Sequence, residues 1–513
     1  MLSQYEIDSY GIIYTPLNFV EKVLETIPNN FFKNPIKSLD IGSGTGNFSK
    51  VLFKKILNNI QVKREKKESE AKFIIRKSLI ALKSIIMIDI NEKHIEILRE
   101  SFGKDANIIK CDFLNNDDNF FLSQQNNKFD LIIGNPPYNI NGKIKTPTNN
   151  NIIKKNDGIT VYPKFVEKAL NLLNNNGLLC FIIPIIWLKP DKYNLYYLLT
   201  GYKILKIHIL NNFETNKLFN YKCQTPTCYF LLQKTKNYII KNDNKNIEDT
   251  YKNIEDTYKN IEDTYKILNI FDKFERKYVE YKLYNNLPIP IHGISIINKF
   301  IEKTRIYGNL KIIKTNLPSK NVMISNVKSE IYCFENIKSC NKKREKKNQK
   351  SNNNISNNIS NHDISNTFDN ELHIFHNDYE LVINYSNKEL IYYNVPKLIM
   401  AHKVYGIPYL DLSGNYGIST RDNYIIKDYK INELEFLKYF FQSKTIMFIF
   451  STTRYRMQYL EKYCFEFIPD ILKYCGEKKI NLNKIKKNID NFLFSEFELS
   501  ENEIITINNN FNK

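Results

Sequence analysis

The run Asp40-Ile41-Gly42-Ser43-Gly44-Thr45-Gly46 constrains this chain more than any other stretch, because it closes an apolar strand-like segment and opens a helical one. Glycines at alternate positions let the backbone turn sharply and come close to a bound ligand. A dinucleotide loop or a plain tight turn shares that glycine spacing. The acidic residue ahead of the glycines departs from the dinucleotide fingerprint, and the lysine of a P-loop is missing.

Around this loop the hydrophobic pattern alternates. Leu17, Val20, Val23, Leu24 and Ile27 recur at helical spacing behind Thr15-Pro16, a cap followed by a proline suited to a first turn. Strand-like runs follow at Ser38 to Ile41, Ile85 to Ile90, Asn107 to Cys111 and Leu131 to Ile133. A helix is expected over Tyr162 to Leu173 and a buried strand over Leu178 to Ile183. Strands rich in Ile, Leu and Val that alternate with helices indicate an α/β domain with a mainly parallel sheet covered on both faces. Residues 61 to 70, QVKREKKESE, read as a solvated charged insertion before the second strand.

The 513 residues exceed one ordinary domain. Lysine and arginine number 74 against 55 acidic residues, and a formal charge of +19 favours a polyanionic partner, nucleic acid ahead of an anionic membrane. The 8 cysteines form no C-x-x-C pair, which argues against a zinc ribbon and a disulfide framework, and no residues are assigned to a metal. No apolar run approaches a membrane span and the N-terminus lacks a signal-peptide pattern, so a soluble intracellular protein is expected.

The chemistry-bearing segment is Asn135-Pro136-Pro137-Tyr138, which follows the fourth strand. Two prolines fix the main chain, so the Asn135 side chain and the Pro136 carbonyl can converge as acceptors on one planar amino group. Such contacts favour a more tetrahedral nitrogen, and Tyr138 offers a flat face for an extruded base. By itself the tetrapeptide identifies only an amino or amide substrate, or a turn.

The order Tyr14-Thr15-Pro16, glycine loop, Asp89, Asp112-Phe113 and Asn135-Pro136-Pro137-Tyr138, with a long region last, resembles the γ group of DNA adenine-N6 methyltransferases over about residues 10 to 235. The resemblance implies a Rossmann-like class I methyltransferase sheet with helices on both faces, plus a C-terminal α+β target-recognition region. It implies S-adenosylmethionine as cofactor, held by Thr15, Pro16, Asp40, Gly42, Gly44, Gly46, Asp89, Ile90, Asp112, Phe113 and Asn135. Asp89 would take both ribose hydroxyls, with Ile90 against the adenine and Asp112 on its amino group. Catalysis falls to Asn135, Pro136, Pro137 and Tyr138, with Tyr138 and Phe219 flanking a flipped adenine of double-stranded DNA. A cognate restriction endonuclease and a monomeric state are expected with it. RNA adenine methylation and protein-glutamine methylation share the motif; the glutamine enzymes differ in carrying a helical domain before the glycine loop and in ending soon after the catalytic domain. A binding module with a degenerate cofactor site is disfavoured by the intact Asp40, Gly42, Gly44, Asp89 and Asn135.

On this reading residues 1–240 form the catalytic domain, 241–275 a linker and 276–513 the recognition region. The linker contains three tandem copies of Asn-Ile-Glu-Asp-Thr-Tyr-Lys between 246 and 266, whose Ile and Tyr residues make one helical stripe. Residues 338–366, dominated by Lys, Asn and Ser, are expected to be a disordered loop. Arg421, Asn423, Arg454 and Arg456 are the candidates for reading base edges, since Arg and Asn can do so bidentately.

Overall fold

A computed structural model describes residues 9–510 apart from 124–127, 142–157, 222, 224, 236–264, 285, 343–378, 403–407 and 456–459. The heptad repeats up to residue 264, and Arg456, lie outside the described residues. The chain divides into two compact units, Met1–Asp272 with Arg276–Asn286, and Lys273–Glu275 with Leu287–Lys513.

In the first unit, helix α1 (Leu17–Leu24) leads into β1 (Ser38–Ile41), α2 (Asn47–Asn59), α3 (Glu70–Lys83), β2 (Ile85–Asp89), α4 (Glu92–Phe102), β3 (Asn107–Lys110) and β4 (Phe129–Gly134). The short pair β5 (Asn139–Ile140) and β6 (Ile159–Thr160) precedes α5 (Tyr162–Leu172), β7 (Leu173–Pro184), α6 (Leu195–Thr200), β8 (Lys203–Leu210), α7 (Asn212–Leu218) and β9 (Thr227–Gln233). A last hairpin pairs β10 (Lys266–Asp272) with β11 (Lys277–Leu283).

These strands build one sheet in the order β11-β10-β8-β9-β7-β4-β1-β2-β3. β1, β2, β3, β4 and β7 are parallel, and β9 runs antiparallel between β7 and β8. This is a Rossmann-like sheet, mainly parallel with β9 and β11 antiparallel to their neighbours. Its central strands β1 and β2 are buried at every position, as their uninterrupted apolar runs require when both faces are covered. The strand order reverses beside β1, between β2 and β4, and open α/β sheets bind ligands at the carboxyl ends of the strands at such a point.

Three local expectations change. Thr15 does not cap α1: the N-cap is Pro16, with no side-chain cap bond, and the Thr15 hydroxyl accepts from the Asn135 side chain instead. The charged insertion continues into α3, opened by Ser69, whose hydroxyl accepts from the Lys72 N–H. Residues 266 to 272, placed in the linker, form β10 instead. β10 pairs parallel with β8, and His208 on β8 is sandwiched between Tyr229 (4.7 Å) and Phe271 (4.3 Å), so stacking and edge pairing carry the first unit to Asn286.

The second unit is α+β. One four-stranded sheet contains Lys397–Ala401 and Asn423–Lys427, and another pairs Phe334–Lys342 with Tyr379–Ser386. Ile337, Ile399, Ile418 and Ile425 form a buried core there. Residues 338 to 342, read as the start of a loop, belong to a strand, because their backbone groups pair with the facing strand from Tyr379 to Val382. Residues 343–366 of that expected loop lie outside the described residues. Helices including Ile294–Tyr307 and Ile431–Gln442 complete the unit.

Candidate active site

The carboxyl ends of β1, β2, β3 and β4 open onto a cavity of about 1070 Å³. Its lining includes Thr15, Gly42, Gly44, Asp89, Ile90, Asp112, Phe113, Asn135 and Pro137. Residues far apart in sequence therefore meet at these strand ends. Pro16, Asp40, Gly46, Pro136, Tyr138 and Phe219 fall outside this lining.

The glycine loop follows β1 through three left-handed residues, Gly42, Gly44 and Gly46, at φ of 63°, 56° and 83°. Gly46 also needs its missing side chain, since a Cβ there would stand 2.9 Å from Leu98 and Phe102. Asp40 sits beneath the loop and is fully buried. One of its oxygens accepts from the Ser49 hydroxyl at 2.5 Å while the other has no partner, and burial pushes the carboxyl up to about 7. Asp40 thus shapes the loop from below instead of facing the cavity.

Asp89 closes β2. Its Oδ2 accepts from the Gly44 N–H at 2.8 Å, tying the second strand to the loop, and its Oδ1 accepts from the Asn91 N–H at 2.9 Å. Asp112 is held by the N–H groups of Leu114 (2.9 Å) and Asn115 (3.2 Å). Phe113 stacks on Phe165 at 5.4 Å, with the Lys168 ammonium 5.4 Å from its ring. Lys164, Phe165, Glu167 and Lys168, at helical spacing on α5, give the cavity a further wall. Burial lifts the Glu167 carboxyl and lowers the Lys168 ammonium.

Asn135 is fixed from one side only. Its Nδ2 donates to the Thr15 hydroxyl at 3.1 Å, which leaves Oδ1 buried with no donor. Gly134 lets it stand there: its φ is 154°, and a Cβ would lie 2.7 Å from the Ile41 carbonyl oxygen. Tyr138, expected to present a flat face, is 9% exposed and lies edge-on to Tyr162 at 6.3 Å; its hydroxyl is buried without a partner. Phe219 is buried edge-on to Phe19 at 6.4 Å. In the second unit Arg421 is exposed and Arg454 half-buried, whereas Asn423 is fully buried in its strand with Nδ2 turned to the Thr420 hydroxyl.

Tyr14, part of the first motif but given no role by it, and His94, which no motif contained, also line the cavity. The Tyr14 hydroxyl lies 2.9 Å from His94 Nε2, and His94 Nδ1 lies 3.0 Å from Asp89 Oδ1. The only local signal was a histidine on the first turn of α4, which by itself names no partner.

Among the described residues no helix is long and apolar enough to cross a membrane. The profile of the family described as Eco57I restriction-modification methylase matches residues 63–219. A type II methyltransferase of Thermus thermophilus, M.TthHB8I, is 34% identical over 89 residues, covering 15% of this chain and 20% of that enzyme. The chain therefore spans about a fifth of that relative's length. Among solved structures, the EcoKI M protein of a type I restriction enzyme aligns at a TM-score of 0.30 and 14% identity, covering 45% of this chain and 46% of that one. The DrdV–DNA complex aligns at 0.32 and 16%, covering 45% and 27%.

S-adenosylmethionine, the cofactor that the resemblance implies, fits the residues present: an acidic strand end, an aromatic wall and bare glycine backbone suit a cationic nucleoside, and Asn135 Oδ1 is buried without a donor. The match to the model described as Eco57I restriction-modification methylase takes in Asp89 and the Asn135-Pro136-Pro137-Tyr138 segment, and the glycine loop lies upstream of it.

Proposed function

We propose that this protein methylates N6 of adenine in double-stranded DNA, acting on a base turned out of the duplex. The observation that carries the reading is Asn135 Oδ1, a buried acceptor without a donor, at the rim of a nucleoside-sized cavity. A buried amide oxygen left unmatched costs about 1–3 kcal/mol, so the site favours a ligand that brings an N–H.

S-adenosylmethionine, when bound, supplies an electrophilic methyl group on a cationic sulfur. Gly42, Gly44, Asp89, Ile90, Asp112 and Phe113 hold it at the strand ends. Asn135 Oδ1 and the Pro136 carbonyl accept the two protons of the target amino group, which draws the nitrogen lone pair out of conjugation with the ring. Thr15 keeps the Asn135 amide from rotating, so that the oxygen and not the nitrogen meets the base. No charged base is needed at the start, because the amino proton becomes acidic only as positive charge builds on nitrogen.

The charge of +19 suits the phosphate backbone, and the second unit, with Arg421 on its surface, is the part we assign to target recognition. The same reading includes a monomeric enzyme with a cognate restriction endonuclease. Incubating the purified protein with tritiated S-adenosylmethionine and duplex DNA, then mapping N6-methyladenine by single-molecule sequencing, tests it. Label found in RNA or protein but absent from DNA refutes it. Asn135→Ala should keep S-adenosylhomocysteine binding near wild type while turnover falls about 10²–10³-fold; equal loss of both would make Asn135 structural.

A further inference from the structure

We propose that the excursion from Asn316 to Ile331 in the second unit is an apolar wedge that enters the minor groove of the substrate duplex. The inference rests on the proposed action on double-stranded DNA and adds the part of the second unit that grips it.

Leu317, Met323, Ile324, Val327 and Ile331, all in this one stretch, are between 41% and 71% exposed. Single exposed aliphatics are ordinary, but a group of them marks a contact surface. The backbone is held so that they cannot fold inward. At the root of the excursion Thr315 is buried; its hydroxyl donates to the Thr420 carbonyl at 2.7 Å and its N–H to the Asn423 carbonyl at 3.0 Å. Midway, Ile324 and Ser325 pair antiparallel with Ser386 and Tyr385, and the Asn387 side chain accepts from the Met323 N–H at 3.0 Å. The Ser325 hydroxyl then donates to the Val327 carbonyl at 2.9 Å, closing a tight turn that leaves the Val327 side chain in solvent, and Lys328 pairs with Glu335 at 3.0 Å.

The residues interleaved with the aliphatics identify the occupant. From Lys314 to Ile331 the chain sets 3 lysines and 3 asparagines against 1 acid, Glu330, and all 6 of those polar side chains are exposed. Lysine is depleted where proteins bury surface against one another, so a protein partner suits this mixture poorly. Proteins that bind the minor groove combine lysine and asparagine with aliphatic or proline side chains set against a base step, which they partly unstack. Lysines beside such a wedge neutralise the phosphates that border the groove. Position agrees with composition. Thr420, to which the root of the excursion is tied, adjoins the exposed Arg421, so that guanidinium and the excursion stand side by side on the second unit.

The test uses the full chain, S-adenosylhomocysteine and a closed-circular plasmid carrying the methylated site. Wild type should shift the linking number of plasmid relaxed by topoisomerase I in its presence, because a parted base step unwinds the duplex, and netropsin, a minor-groove ligand, should displace it. Leu317→Ser, Val327→Ser and Ile331→Ser combined should bind about tenfold more weakly and lose the linking-number shift, with the urea midpoint unchanged because the three side chains are exposed. Lys320→Ala should instead flatten the slope of log affinity against log salt by about 0.9, the effect of one phosphate, while the triple variant keeps the wild-type slope. If the triple variant binds and unwinds as wild type does, the excursion faces a protein partner or solvent and the proposal fails. It fails equally if wild type binds without changing the linking number, or if methyl green, a major-groove ligand, displaces it and netropsin does not. A wild type that binds no duplex would instead overturn the DNA reading beneath it, and this inference with it.

Discussion

Replacing Asp40 with asparagine should remove a pH-dependent component of stability. Burial lifts this carboxyl from its ordinary 3.8 to about 7, with the nearby charge of Asp89 acting in the same direction and the Ser49 hydrogen bond opposing both. Because the folded-state value lies above the unfolded one, the folded protein holds a proton that the unfolded chain releases above pH 4. The associated stability is complete below the unfolded value, declines by about 1.4 kcal/mol per pH unit, and is gone above pH 7. Over that interval the change is at most about 4 kcal/mol. An asparagine keeps an oxygen for Ser49 but cannot ionise, so the variant lacks this slope. Urea unfolding at pH 5, 6, 7 and 8 measures it, read through Trp187, the 1 tryptophan of the chain, which is fully buried in the first unit. The wild-type curve should fall relative to Asp40→Asn as pH rises toward 7 and run parallel to it beyond. Curves parallel from pH 5 to 8 would show that Asp40 is ionised throughout, and the account of a neutral acid beneath the glycine loop would be refuted.

Gly134→Ala would drive a Cβ to 2.7 Å from the Ile41 carbonyl oxygen, a backbone atom that cannot swing aside. About 1–3 kcal/mol of stability should be lost by urea unfolding, and turnover should fall with it because Asn135 is the next residue; an unchanged midpoint would contradict the close approach of β4 to β1. In the second unit Lys397 and Asp411 form a buried pair, 0% and 3% exposed, at 2.5 Å. Lys397→Met strands Asp411 and should cost about 3–5 kcal/mol, with Asp411→Asn added in the same chain recovering part of the loss; additive losses would mean the two charges do not interact.

What was readable in the sequence was what the chain writes locally. A glycine loop, an acidic residue at a strand end and a rigid Asn-Pro-Pro-Tyr each declare themselves within a few residues, so Asp89 could be found although an insertion and α3 push it downstream. The edge hairpin was hidden because β10 takes its place from stacking on His208 and from backbone pairing with β8, neither of which leaves a periodic signal beside the heptad repeats. Asn423 illustrates the opposite error. A polar residue near an arginine reads as a surface contact, yet the strand Asn423–Lys427 is buried at its first four positions, and Thr420 receives the Asn423 amide there.

The three strand-end aspartates show most clearly what spacing cannot express. Asp40, Asp89 and Asp112 have the same local signature, and motif reasoning gives all three to the cofactor. Their roles are separated by what surrounds each carboxylate. Asp40 has one hydroxyl donor and complete burial, so it tends to keep its proton and supports the loop from beneath. Asp112 is bound by the N–H groups of its own turn and faces the cavity. Asp89 collects donors from the loop, from its own turn and from α4, which spends most of its accepting capacity before any ligand arrives. A carboxylate fixed that firmly is well oriented, and one of the groups that fixes it, His94 on α4, lies outside the three-aspartate pattern. Tyr14 is 80 residues from His94 in sequence and one hydrogen bond from it in space. That separation is why this contact becomes visible only in the folded chain.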